Sequence, residues 1–173
     1  MIDHTDEFVD PPTIEDVMGA QELPDDAPVS MRGRLHTPAF AKAYALAGNA
    51  TFTVLNPETG NRFTYKIKRK EVEENKELFF VGLLSGPDND SDYSFLGTIF
   101  DAEQFVHGRK SLITEEAPSV RGFRWLWKRF TTDTDFAPAE FWHEGRCGRC
   151  GRKLTVPESI ERGLGPVCAG WGQ

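Results

Sequence analysis

From Ala50 to Val106 the chain alternates apolar and polar residues in short runs. TFTVL, RFTYKIKRK, LFFVGLL, YSFLGTIF and QFVH each have the two-residue period of a strand with one face buried. Turn formers separate them, NPETGN after the first run and SGPDNDSD between the third and fourth. These links are too short for crossover helices, so the strands are expected to pair antiparallel, as a meander or a half-open barrel. Two stretches change to helical spacing. Thr37 as N-cap and Pro38 at the first helical position open a helix through AFAKAYALA that is expected to stop at Gly48, with Phe40, Ala43, Tyr44 and Ala47 as its packing stripe. A second helix is expected from Pro118 to about Phe130, where Val120, Phe123, Leu126 or Trp127, and Phe130 recur on one side and Arg121, Arg124 and Lys128 on another. Both should dock on the sheet, which gives an α+β fold.

The flanks differ in character. Residues 1–30 hold nine of the 27 acidic residues, no Lys or Arg, and four prolines, a composition expected of a disordered tail with room for one short helix near Thr13 to Gly19. From Met31 onward 20 basic residues face 18 acidic ones, a net of +2, so the overall charge of -7 describes the tail and leaves a nucleic-acid partner open. Residues 31–135 form the expected core domain, Thr131 to Pro138 a linker, and residues 140–173 a small module. No apolar run is long enough to cross a bilayer, and the acidic N-terminus lacks the pattern of a secretory signal; a cytoplasmic protein without membrane association is expected.

In that reducing setting, three cysteines within one C-terminal stretch point to metal ligation over disulfides. Cys147 and Cys150 have the Cys-x-x-Cys spacing that holds one edge of a tetrahedral site, and Gly148 and Gly151 free the backbone to form the knuckle. Thr155, Pro157 and Glu158 suggest a capping box, followed by a short helix ending at Gly163. Gly165 and Pro166 then return the chain so that Cys168 reaches the metal. Zinc needs fewer assumptions than iron for this donor set. His143, four residues before Cys147, is the expected fourth ligand, giving a closed Cys₃His site. Glu144, Glu158, a water or a partner's residue are the alternatives, and a water would make the site open. Three incidental cysteines are the blander reading.

The segment CGRCGRKLTVPESIERGLGPVC, Cys147 to Cys168, resembles a small zinc-finger-like domain of uncharacterised function found near the C-termini of short bacteriophage, plasmid and actinobacterial proteins. TGNRFTYKIKR, LSGPDNDSDYSFLGTIF and VHGRKS also resemble the β-rich domain upstream in such proteins. The resemblance implies a metal site at Cys147, Cys150 and Cys168 and a mobile-element setting; it brings no activity and no catalytic residue.

Other constellations are weaker. Asp88, Asp90 and Asp92 alternate like calcium ligands, but Tyr93 and Ile99 occupy positions where a calcium loop needs glycine and glutamate, so a hairpin turn is expected. The zinc-deaminase signature and the common nucleotide-binding and hydrolase motifs are missing, which disfavours an enzyme. Basic residues are more suggestive. In RFTYKIKRK, Phe63, Tyr65 and Ile67 point one way and Arg62, Thr64, Lys66 and Lys68 the other, with Lys70 continuing that row. With Arg121, Arg124, Lys128, Arg149 and Arg152 they suggest a track for a phosphate backbone, against which Glu71, Glu73, Glu74 and Glu77 act. The leading expectation is a non-enzymatic, zinc-binding phage or mobile-element accessory protein that contacts nucleic acid. A protein-interaction factor that binds and inhibits a host protein, as in anti-defence, is the alternative; an enzyme with an open zinc site is least favoured.

Overall fold

The computed structural model describes residues 33–72 and 76–170. The acidic tail expected at residues 1–30, with its short helix, lies outside them.

The chain adopts the expected α+β class, built on one seven-stranded sheet whose neighbours all pair antiparallel. Strands β2 (Asn49–Leu55), β3 (Arg62–Lys70), β4 (Leu78–Leu84), β5 (Tyr93–Phe100) and β6 (Gln104–His107) form the meander that the alternation predicts. Two shorter strands extend it: β1 (Arg34–Leu35) lies at one edge, and β7 (Glu140–His143) slots between β1 and β2. With β1 and β6 as its two edges the sheet is open, not a barrel. β7 falls within the segment expected to be a separate module, yet it is an interior strand of the main sheet.

Strand alternation divides the sheet into two unlike faces. Ala50, Phe52, Tyr65, Ile67, Phe79, Val81, Ile99 and Phe141 are buried on one of them, beneath helices α1 (Pro38–Ala45) and α2 (Pro118–Thr131). A register shift between Val81 and Gly82 places Leu96 opposite no partner residue, and its side chain joins the core. Aromatic rings fill the layer. Phe52 stacks on Phe141 at 4.3 Å, and Phe123 of α2 meets Tyr65 at 4.9 Å and Phe105 at 4.7 Å. Their polar tips are satisfied: the Tyr65 hydroxyl donates to the Ser119 carbonyl at 2.7 Å and the Trp127 indole to the Glu103 carbonyl at 2.8 Å.

Thr37 caps α1 as expected, its hydroxyl accepting from the Phe40 amide at 3.3 Å. The packing stripe differs. Ala41, Tyr44 and Ala45 are buried, Phe40 is half-buried and Ala43 is exposed. The helix ends at Ala45, so Ala47 lies past it, and two alanines one turn apart let the helix approach the sheet on either side of the Tyr44 ring.

Candidate metal centre

β7 carries the chain from the sheet into the cysteine-bearing segment, and a short ladder then closes the knuckle. The Cys147 amide donates to the Arg152 carbonyl at 2.8 Å, the Gly151 amide to the Cys147 carbonyl at 2.9 Å, and the Leu154 amide to the Gly145 carbonyl at 2.8 Å. Helix α3 (Pro157–Arg162) follows and ends on Gly163, which is left-handed at φ 71°. The capping box does not form. Val156, not Thr155, is the N-cap, with extended backbone and no side-chain cap. A residue before proline is pushed out of the helical region, so Val156 cannot be the first helical residue that a Thr155 cap requires. Past Gly163 the chain turns at Gly165 and Pro166, and the Ala169 amide donates to the Gly165 carbonyl at 2.9 Å, bringing Cys168 back to the knuckle.

The sulfur atoms of Cys147, Cys150 and Cys168 all lie within 4.8 Å of one another. Burial alone pushes the Cys147 thiol up. The backbone amides of Cys150, Gly165 and Arg149, with the Cys150 side chain, outweigh it and bring the thiol from 9.0 down to about 7. Cys168 moves the other way, to about 11, because of burial and the hydrogen bonds and charge of the two neighbouring thiols. Three sulfurs this close resist ionising together without a cation, and amides already aimed at Cys147 stabilise the first negative charge. Addition of a divalent cation would relieve that repulsion, so the donor set fits a thiolate-bound metal ion. Among the described residues this is the one such grouping of His, Cys, Asp or Glu.

His143 is not among the residues whose donor atoms lie together. Its ring is 1% exposed and both nitrogens are committed: Nε2 donates to the Ile160 carbonyl at 2.7 Å, and Nδ1 accepts from the Gly145 amide at 3.0 Å. The ring also lies 5.1 Å from that of Tyr44. Burial lowers its pKa below 6.5, against the opposing hydrogen bond to Ile160, so the neutral ring is the favoured form. The physical reason is strand parity: Phe141 and His143 both face the core, pairing with Val54 and Phe52. His143 thus fastens α3 to the sheet. Tyr44 completes that junction, since a side chain at Gly148 or Gly163 would run into its ring. Glu144 and Glu158, the other candidates, also lie outside the sulfur cluster.

A cavity of about 400 Å³ adjoins the sulfurs, lined by Leu154, Val156, Ser159 and Val167 among others. Ser159 is buried on α3, and its hydroxyl has no hydrogen-bond partner. Nothing in the sequence separates this serine from an ordinary helix residue.

The expected basic track is split in two. Arg62, Lys66 and Lys68 belong to the sheet face opposite the helices, with Thr53 and Thr64 beside them. Arg121, Arg124 and Lys128 are exposed on α2, across the core from those lysines, and Arg124 pairs with Glu115 at 2.6 Å. The knuckle does approach β3: the Asn49 amide donates to the Gly148 carbonyl at 2.7 Å, and Asn49 pairs with Lys68. Arg149 and Arg152 are exposed there. On the uncovered face Phe80, Phe95 and Phe100 are 37–39% exposed, a feature the alternation of LFFVGLL and YSFLGTIF could have revealed. Lys66 sits 4.8 Å over the Tyr93 ring and Lys70 5.2 Å over Phe80. The acidic hairpin is a turn, as expected: Asp88 accepts from the Asp90 and Ser91 amides, which holds its carboxyl below the ordinary value.

Over residues 137–170 the chain is similar to a family of unknown function, DUF6011. That match takes in β7 and the whole cysteine module and leaves the meander outside it. No curated protein and no solved structure matches the chain. No helix among the described residues is long and apolar enough to cross a membrane.

Proposed function

We propose that this chain is a non-enzymatic, zinc-stabilised protein that binds single-stranded nucleic acid on the uncovered face of its sheet, in the phage or mobile-element setting that its resemblance implies. One observation carries the reading: Lys66 and Lys68 stand at alternate positions on a face that no described helix covers, beside the exposed rings of Phe80, Phe95 and Phe100. Cations spaced along a strand suit phosphates, and rings exposed on the same surface suit unpaired bases, which stack on them at about 1–3 kcal/mol each. Zinc on Cys147, Cys150 and Cys168 would hold the knuckle, with Arg149 and Arg152, at the Lys68 end of β3. Asp88 and Asp90 lie near Lys66, whose ammonium donates to the Asp90 carbonyl at 3.0 Å, so Lys68 is the stronger phosphate contact.

Titration of a labelled oligothymidine by anisotropy at several salt concentrations tests this. Lys68→Glu should weaken binding at least tenfold and flatten the salt dependence by about 0.7 per lost phosphate contact. Arg121→Glu and Lys128→Glu, across the core, should leave it within about twofold. Absence of binding at low salt, or equal losses from both sets, refutes the proposal. The same exposed rings with Val106 would also suit a protein partner. That second reading gains if Phe80→Ala abolishes capture of a host protein while oligothymidine never binds.

A further inference from the structure

We infer that the acidic N-terminal segment, residues 1–30, docks on the sheet face that no described helix covers, and competes there with nucleic acid for the basic row of β3 and the exposed rings beside it. The inference takes its surface from the reading above, but the docking stands even if that surface never meets an oligonucleotide.

Three observations converge on this occupant. The face is half basic and half apolar. Arg62, Lys66, Lys68 and Lys70 alternate along β3, and the cross-strand rows continue from them into hydrocarbon: Lys68 pairs with Phe80, Phe80 with Thr98 and Thr98 with Val106. The neighbouring row runs from Lys70 through Leu78 to Phe100. Phe80, Phe95, Phe100 and Val106 are 37–42% exposed, while α1 and α2 pack on the opposite face. Rings and cations left together on one surface mark a place for a partner that is both acidic and apolar.

Residues 1–30 have that chemistry. They carry nine carboxylates and no Lys or Arg, and the acids are interleaved with apolar side chains. Asp6, Glu7 and Asp10 flank Phe8 and Val9, and Glu15 and Asp16 lie between Ile14 and Val17. An acidic block of this kind reads as an interaction segment, and its complement stands on the same chain.

Reach is the third observation. The segment enters the sheet at the β1 edge, from which β3 is three strand spacings away and β5 five, about 14 Å and about 24 Å. Met18 precedes Gly33 by fifteen residues, which span up to about 50 Å when extended. Every acid from Asp3 to Asp16 can therefore be brought over the basic row. Exposed ion pairs are weak one by one, but tethering raises the effective concentration of these carboxylates to about the millimolar range, where several weak contacts add. Lys68 is the expected centre of the contact, because Lys66 already donates to the Asp90 carbonyl at 3.0 Å and lies near Asp88. The basic residues of α2 are the competing target, and there Arg124 is already paired with Glu115.

Carbodiimide coupling of the full-length protein, mapped by mass spectrometry, reads the contact, with light and heavy-isotope chains mixed so that links within one chain are told from links between two. Carboxylates of Asp3 to Asp16 should couple to Lys68 and Lys70 of the same chain at least about fivefold more often than to Lys128 on α2, an excess that about 0.5 M salt should abolish by screening. Asp3→Asn, Asp6→Asn, Glu7→Gln, Asp10→Asn, Glu15→Gln and Asp16→Asn, made together, should tighten oligothymidine binding about tenfold, as if the intact chain left roughly one face in ten free. Links that reach Lys128 as readily as Lys68, or that form only between chains, would overturn the docking. Unchanged affinity in the neutralised variant, where wild type binds, would overturn the competition. If neither chain binds oligothymidine while the links to Lys68 form, the nucleic-acid reading falls and the docking stands.

Discussion

His143→Phe separates a structural histidine from a ligand. The substitution keeps a planar ring in a site that is 1% exposed, so little cavity opens, and the contact with Tyr44 survives. What it removes is the pair of hydrogen bonds. The Ile160 carbonyl loses a donor held at 2.7 Å, and the Gly145 amide an acceptor at 3.0 Å. Each buried group left unmet costs about 1–3 kcal/mol, so the folded state should lose roughly 2–6 kcal/mol. For a chain of this length each kcal/mol shifts the melting midpoint by about 2–4 °C, which places the expected drop at roughly 4–24 °C. Thermal unfolding followed by circular dichroism reads the drop, and metal analysis at saturating zinc reads the site. The expected pattern is a lowered midpoint with one metal still bound per chain. A variant that melts like the wild type but no longer holds the metal would refute the structural role and restore His143 as a ligand.

The same side chain makes stability depend on pH. Because burial depresses its folded-state pKa below 6.5, the unfolded chain takes up a proton that the folded chain refuses. Stability is therefore complete above 6.5 and falls as the pH drops from there toward the folded value, by at most about 1.4 kcal/mol per pH unit, a slope that denaturant titrations should find missing in His143→Phe. Gly163→Ala should cost more than the about 1–2 kcal/mol of a left-handed alanine, since its Cβ also meets the Tyr44 ring; an unchanged melting midpoint would refute the close packing of α3 on α1. Tyr65→Phe should lose about 0.5–1.5 kcal/mol with the bond to Ser119, read by urea unfolding. Cys150→Ser changes an exposed residue with little packing, so it should abolish the zinc-dependent rise in melting midpoint while leaving the metal-free midpoint near that of wild type.

Where the alternation was long and bounded by turn residues it was decisive: β3, β4, β5 and β6 begin and end at the residues the pattern predicts. α2 followed from spacing in the same way, with both Leu126 and Trp127 buried. β1 escaped because two residues are too few to show a period, and β7 because it follows a helix and a linker and takes its place in the sheet only through pairing with β1 and β2, which lie far from it in the chain. The same omission hid the setting of His143. Spacing from Cys147 favours a ligand, but reading EFWH as a strand puts Phe141 and His143 on the core face together. Thr155 failed for a local reason, the proline at position 157. The cysteine cluster was legible because its geometry is fixed by a short knuckle and one return turn. Ser159 and the cavity were not, since an unpartnered hydroxyl is a property of tertiary packing.

The position of β7 changes what a metal at the cysteines can do. In a bead on a linker, metal binding would stabilise the bead alone. Here the strand that delivers the knuckle is hydrogen-bonded between β1 and β2, and His143, at its end, holds α3. Asn49, at the start of β2, is bonded to the knuckle itself, and Tyr44 of α1 fills the space between Gly148 and Gly163. Loss of the knuckle therefore removes partners from β2, β7 and α1 together. A ligand that binds only the folded form at 100 times its Kd contributes about 2.7 kcal/mol, and with this connectivity that gain belongs to the whole sheet. It also reaches the proposed binding surface, because the end of β2 that the knuckle holds is paired with Lys68. On the proposed reading the metal would act on nucleic-acid affinity without contacting it, by fixing the end of β2 that pairs with Lys68.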